Sequence, residues 1–144
     1  MLGVGVPFAI AAKNTHPDAR VVLLSGDGAF LSGGLSIEAA FQENRPIVVV
    51  IDNNGGLDCI AQQQERLFAN AQHFATDFRD IPFHALFAGL GGHGELVETR
   101  AQLPDALQRA LASGKPACVN VKTRGVISPI VLATTNKRDK ASIE

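Results

Sequence analysis

Two short polar clusters carry residue types suited to holding a metal ion beside an anion. Gly26-Asp27-Gly28 closes one apolar run and Asn53-Asn54-Gly55-Gly56 closes another, with twenty-four residues between Gly28 and Asn53. Asp27 offers a carboxylate, the asparagine pair a carboxamide oxygen, and the glycines after it a free backbone carbonyl. These are hard oxygen donors of the kind Mg²⁺ prefers in its octahedral shell. Protein oxygens alone leave that shell incomplete, so a cofactor supplying phosphate oxygens is implied, with water filling the remainder. Glycines let backbone N–H groups approach a phosphate closely, and the N-terminus of a following helix adds a favourable field. Gly-Asp-Gly alone is an ordinary turn; its weight depends on the elements that place it.

Three short apolar, β-branched runs, Val21 to Ser25, Ile47 to Asp52 and Ala117 to Val121, read as strands buried on both faces, the pattern of central parallel strands. Between them, Val6 to Lys13, Ser36 to Glu43 and Leu103 to Leu111 have helical spacing, the last with Leu103, Leu107 and Leu111 at i, i+4, i+8. Alternating strands and helices predict an α/β fold, a three-layer domain with a parallel sheet. Parallel strands would bring both polar clusters to one edge of that sheet, the edge where ligands bind in such folds. Turn residues punctuate the joints at Asn14 and Pro17-Asp18, at Asn44-Arg45-Pro46 and at Ser113-Gly114-Lys115-Pro116. Between residues 57 and 92, Ala61 to Asn70 and Pro82 to Leu90 read as helical, and Gly89 to Gly94 as a loop. Lys122 to Glu144 reads as a tail without a partner strand.

A chain of 144 residues, 46% apolar, suits one compact domain. Its formal net charge of -1 gives no cationic surface for nucleic acid. No apolar run approaches the roughly 18–20 residues that span a bilayer. The start lacks a basic, cleavable leader, so a soluble, cytoplasmic protein is expected. Cys59 and Cys118 have no zinc or redox spacing and read as reduced small hydrophobes.

Gly-Asp-Gly, twenty-four residues, then Asn-Asn resembles the signature of thiamine-diphosphate enzymes. Leu2-Gly3-Val4-Gly5-Val6-Pro7-Phe8-Ala9-Ile10 is similar to the family segment that precedes it. Phe83 to Gly92, Leu96-Val97 and Gly114 to Val121 resemble the end of the same diphosphate-binding domain. The resemblance covers about residues 2 to 121. It implies the thiamine-diphosphate-binding fold, incomplete at its N-terminus, over residues 1–121, with 122–144 as a tail or active-site lid. By the same resemblance, Asp27, Asn54 and the Gly56 carbonyl would bind Mg²⁺. Gly26, Gly28, Ala29, Asn54, Gly56 and Leu57 would contact thiamine diphosphate. Leu2 would be the apolar wedge that bends the cofactor.

The resemblance further implies a homodimer or tetramer whose active site needs a pyrimidine-binding domain carrying the activating glutamate. No residue here takes that role, so the chain would be a catalytically incomplete fragment or split subunit. Ile60, six positions after Asn54, stands where simple pyruvate decarboxylases of the family carry a glutamate. Asn53 to Gly56 followed by an aliphatic residue favours the acyl-CoA branch, which cleaves or forms C–C bonds in 2-hydroxyacyl-CoA thioesters. An acetolactate synthase-like carboligase of 2-oxo acids is the alternative. An inactive binding or dimerisation remnant and a nucleotide-binding doubly wound domain are readings of other classes.

His16, His73, His84 and His93 read as surface or loop residues, His93 between glycines being the one that could approach a ligand. Asp58, Glu65 and Arg66 read as a solvated helix face. Lys137-Arg138 reads as a soluble tail, or as lid cations for the phosphates of a coenzyme A thioester.

Overall fold

The computed structural model describes residues 1–68 and 73–133. They fall into two compact units, Met1–Asn54 with Ile81–Thr123, and Gly55–Asp80 with the segment from Arg124 onward.

The first unit is built on four parallel strands, β1 (Val21–Gly26), β2 (Ile47–Asn53), β3 (His93–Val97) and β4 (Ala117–Lys122), in the order β1-β2-β4-β3. The helices α1 (Gly5–Thr15), α2 (Asp27–Leu31), α3 (Glu38–Gln42), α5 (Phe83–Gly89) and α6 (Leu103–Ala112) accompany them in this unit, and α4 (Asp58–Leu67) belongs to the second. A 3₁₀ turn, Gly34–Ile37, leads into α3. The expected α/β class with a parallel sheet is therefore present, and the sheet is sandwiched.

Strand side chains alternate between the faces, and each face has its own core. Ile47, Val49, Ile51 and Cys118 meet Val6, Phe30, Phe83 and Phe87 on one side. Phe30 packs edge-on to Phe83, with ring centroids 5.5 Å apart. On the other side Val48, Val97, Ala117 and Val119 meet Ala106 and Ala110 of α6. The alanines every fourth residue let α6 lie close to the sheet, and Pro104 at its first turn is pre-set for helix. Burial pushes the Cys118 thiol up to about 12, so it behaves as the inert hydrophobe expected.

Three expectations need correction. β1 is not buried on both faces: it is an edge strand, with Val22 and Leu24 51% and 74% exposed. Gly89 to Gly94 is not simply a loop, because His93 and Gly94 begin β3. Glu95, a polar residue in this short strand, is held by Arg109 of α6. The helix expected from Ser36 to Glu43 is a 3₁₀ turn followed by the short α3.

In the second unit α4 begins earlier than expected, at Asp58, and ends at Leu67. Gln62 of α4 donates to the Val126 carbonyl and accepts from the Ser128 N–H, and residues 129–133 are helical. Part of the presumed tail is thus folded. Asn70, at the expected end of that helix, and Lys137-Arg138 lie outside the described residues.

Candidate functional site

β1 and β2 pair in register from Val21 opposite Ile47 to Gly26 opposite Asp52. Asp27 follows Gly26 directly, and Asn53 and Asn54 follow Asp52, so both polar clusters leave adjacent strands at the same, C-terminal edge. The chain turns into α2 at Asp27. There its carboxylate is 3% exposed and Oδ1 accepts the Gly28 N–H at 2.6 Å. This short bond fixes the carboxylate against the start of the helix, where the dipole favours negative charge.

The two asparagines have different surroundings because successive side chains on a strand point to opposite faces. Asn53 is buried, and its Nδ2 donates to Asn120 Oδ1 at 2.9 Å and to the Ile81 carbonyl at 3.3 Å. Asn120, fully buried on β4, in turn reaches His84 Nδ1 at 3.3 Å. Asn54 is exposed. Asn53 therefore anchors the strand end internally, while Asn54 stands exposed just past it. The sequence reading missed this role for Asn120 and His84. A polar residue inside an otherwise apolar strand was the available signal.

A groove of about 220 Å³ runs along this edge, between Gly3, Val4 and Gly5 on one side and Gly26, Ala29 and Gly34 on the other. Its walls approach closely: a Cβ on Gly33 would overlap the Gly3 carbonyl oxygen. The Gly3 segment and the turn after α2 thus touch backbone to backbone. Leu2 stands beside this groove, 57% exposed, and does not line it.

Gly56 and Leu57 belong to the second unit. Gly56 pairs with Asp77 in an antiparallel bridge, and the Leu57 N–H donates to the Thr76 carbonyl at 2.7 Å. Leu57 then caps α4 through its carbonyl.

The chemistry of these donors fits the expected group. Asp27 and Asn54 are hard oxygen donors on neighbouring strand ends, and no atom lies within 4 Å of the place a Cβ would take on Gly26, which leaves its backbone open to an incoming anion. Among the described residues no three His, Cys, Asp or Glu side chains gather as a metal site. Beside the single carboxylate of Asp27, a cation here would draw on carboxamide, carbonyl and cofactor oxygens.

The other residues singled out lie elsewhere or have structural partners. His93 sits at the N-terminal end of β3, opposite Ala117, so it is at the edge away from Asp27. Its Nε2 lies 2.8 Å from Glu95 Oε1, and Arg109 grips the same carboxylate through two nitrogens at 2.8 and 2.9 Å. The Arg109 guanidinium, assisted by His93, holds the Glu95 carboxyl down at about 2. His84 is not a loose surface residue but the end of the Asn53–Asn120 chain. In the second unit, His73 is exposed yet bridges Glu65 at 2.7 Å and Asp77 at 2.9 Å, and these carboxylates raise its pKa. Glu65 is thereby engaged, and Asp58 accepts from Gln62 at 3.0 Å. Ile60 is 45% exposed on α4.

Known proteins resemble this chain in sequence and in fold. An acetolactate synthase large subunit of Mycobacterium tuberculosis is 42% identical over 123 residues, covering 85% of this chain and 22% of its own length. A 2-hydroxyacyl-CoA lyase of Arabidopsis thaliana is 31% identical over 140 residues, covering 94% of this chain and 24% of its own. Among solved structures, the thiamine diphosphate-dependent 4-hydroxybenzoylformate decarboxylase of Rhodococcus jostii superposes with a TM-score of 0.78 at 31% identity, over 88% of this chain and 24% of that one. The chain thus spans less than a quarter of the length of these relatives. The family profile for the C-terminal TPP-binding domain of thiamine pyrophosphate enzymes matches residues 1–121, and the chain belongs to that family.

Proposed function

We propose that this chain supplies the Mg²⁺- and diphosphate-binding part of an active site that cleaves or forms a C–C bond next to a carbonyl. The observation that carries the reading is the emergence of Asp27 and Asn54 from adjacent, in-register parallel strands. In this reading Asp27, Asn54 and the Gly56 carbonyl hold Mg²⁺. Gly26, Gly28, Ala29 and Leu57 line the diphosphate, and Leu2 supports the bent cofactor. When bound, thiamine diphosphate supplies a nucleophilic carbon and an electron sink. The chain's own residues bind and orient it: the carboxylate of Asp27 is already fixed by Gly28, and Asn53 holds the strand that presents Asn54. The acid that activates the cofactor ring comes from a pyrimidine-binding domain, in a homodimer or tetramer.

For the substrate, two readings each have support. The aliphatic Leu57 after Gly55-Gly56 and the match to a 2-hydroxyacyl-CoA lyase over 94% of this chain favour acyl-CoA thioesters. The 42% identity to an acetolactate synthase favours carboligation of 2-oxo acids. With a pyrimidine-binding domain supplied, calorimetric titration with thiamine diphosphate and Mg²⁺ tests the site, with binding expected for the parent and lost in Asp27→Ala. Unchanged Mg²⁺-dependent binding in Asp27→Ala refutes the assignment, and nucleotide binding in its place would favour a nucleotide-binding domain. Supplying a pyrimidine-binding domain and screening both substrate classes then separates the branches. Cofactor binding without turnover on either class would identify a binding remnant.

A further inference from the structure

His84 stands at the far end of a hydrogen-bond chain whose near end, Asn53, directly precedes Asn54. The polarity of that chain is set at Ile81. A backbone carbonyl can only accept, so it takes one amide proton from Asn53 Nδ2, at 3.3 Å. The second proton of that amide goes to Asn120, 2.9 Å away, which must therefore present its oxygen. Asn120 Nδ2 is then turned toward His84 Nδ1, at 3.3 Å. A donor there needs an acceptor, so Nδ1 is the bare nitrogen and the imidazole proton sits on Nε2. Asn120 is fully buried, and its amide therefore relies on acceptors from the protein.

This chain holds the end of β2. The Thr123 N–H donates to the Asn53 carbonyl at 3.1 Å, so Asn53 is tied through its backbone as well as its side chain. Asn54 is the first residue beyond that tie. On the neighbouring strand Gly26 lies opposite Asp52, and Asp27 follows it. The spacing of the two oxygen donors thus depends on where β2 ends relative to the start of α2.

The first turn of α5 reaches both of these elements. Phe83 packs edge-on against Phe30 of α2, the helix that Asp27 opens. The next residue, His84, meets Asn120 and through it Asn53. Phe83 and Phe87 are 1% and 0% exposed, so this turn is seated firmly in the core. Its imidazole has a fixed base from which to orient Asn120.

We propose that His84 is a positioning residue for the metal site. As the neutral Nε2–H tautomer it orients Asn120, which orients Asn53 and so sets where Asn54 stands relative to Asp27. It acts through those two carboxamides and not by contact with Mg²⁺ or thiamine diphosphate. The inference rests on the cofactor reading for what Asn54 holds, whereas the polarity of the chain does not.

Leucine and asparagine at position 84 separate the acceptor from the bulk. In His84→Asn a side-chain oxygen takes the place of Nδ1 and can accept from Asn120; in His84→Leu a methyl group takes that place. With a pyrimidine-binding domain supplied, thiamine diphosphate is titrated calorimetrically in the presence of Mg²⁺, under conditions where each variant is folded. Affinity is expected to fall about fivefold in His84→Leu, the effect of one lost hydrogen bond, and to be restored to within about twofold in His84→Asn. A residue needed only for folding would lower the urea midpoint and leave the affinity of the folded protein unchanged. Nitrogen NMR of the parent in mildly alkaline solution should show His84 as a single Nε2–H tautomer, not the exchanging mixture of an imidazole free in water. That signal, identified by its loss in His84→Asn, gives the reading should His84→Leu fail to melt cooperatively. Equal affinity in parent and His84→Leu, an equal loss in both variants, or a mixed or Nδ1–H tautomer overturns the proposal. A parent that shows no Mg²⁺-dependent binding refutes the cofactor reading and this role with it; the other outcomes arise with the parent still binding and refute the role alone.

Discussion

Adjacent asparagines should give opposite phenotypes. Asn53 is 3% exposed and its carboxamide donates to both Asn120 Oδ1 and the Ile81 carbonyl. Asn53→Leu keeps the side-chain volume but leaves a buried acceptor, Asn120 Oδ1, and a partly buried one, the Ile81 carbonyl, without their donor. At a net hydrogen bond of about 1 kcal/mol each, plus the desolvation of acceptors left unpaired, the cost is about 2–4 kcal/mol. For a chain of this size 1 kcal/mol moves the melting temperature by about 3 °C, so a fall of roughly 6–12 °C is expected. Asn54 is exposed, and Asn54→Ala should cost less than about 1 kcal/mol while losing Mg²⁺-dependent retention of thiamine diphosphate. Urea midpoints at constant slope measure the first effect and calorimetry the second. If Asn54→Ala destabilises as much as Asn53→Leu, or Asn53→Leu melts with the parent, the division of roles is wrong.

Glu95 has an ordinary value of 4.5 and is held at about 2 in the folded chain. Its stabilisation is therefore complete above about pH 4.5 and is lost as pH falls toward about 2. Because Arg109 is 56% exposed, solvent screening limits the gain to about 1 kcal/mol. Urea midpoints of Glu95→Gln should lack this component of acid sensitivity. His73 behaves with the opposite sign: its raised pKa stabilises the 73–77 turn below the ordinary value of 6.5, and the support is lost as pH rises through the folded value. The hydrogen-exchange protection factor of Leu57, whose N–H is bonded to Thr76, should fall over that range in the parent and not in His73→Gln. Gly94→Ala would drive its Cβ into the His84 carbonyl oxygen, a backbone overlap expected to cost about 2 kcal/mol or more in a melting experiment.

The candidate edge could be read locally because each half of it is contiguous: an apolar strand, then its polar tip. The inside-outside assignment of Asn53 and Asn54 could not, since it depends on Asn120, 67 positions away. β3 was hidden for a related reason. Gly94 and Glu95 weaken its strand pattern, and the partner of Glu95 is fourteen positions later on another element. Val21 to Gly26 has the composition of a central strand but lies at the sheet edge, and neighbour order is a property of the assembled sheet. The apolar pattern of Leu103 to Leu111 was legible because its alanines and leucines repeat within one helix.

The buried Asn53–Asn120 bond also works as a frame lock. Ile51 lies opposite Asn120 and Asn53 opposite Lys122, so the two carboxamides meet only in this alignment of β2 on β4. A one-residue insertion between Ile47 and Asp52 would advance the strand by about 3.3 Å and exchange its two faces. The carboxylate of Asp52 would then be asked to occupy the polar socket, and the exposed oxygen donor would be displaced from Asp27. β2 should therefore tolerate conservative exchanges among its aliphatic residues far better than any change in length.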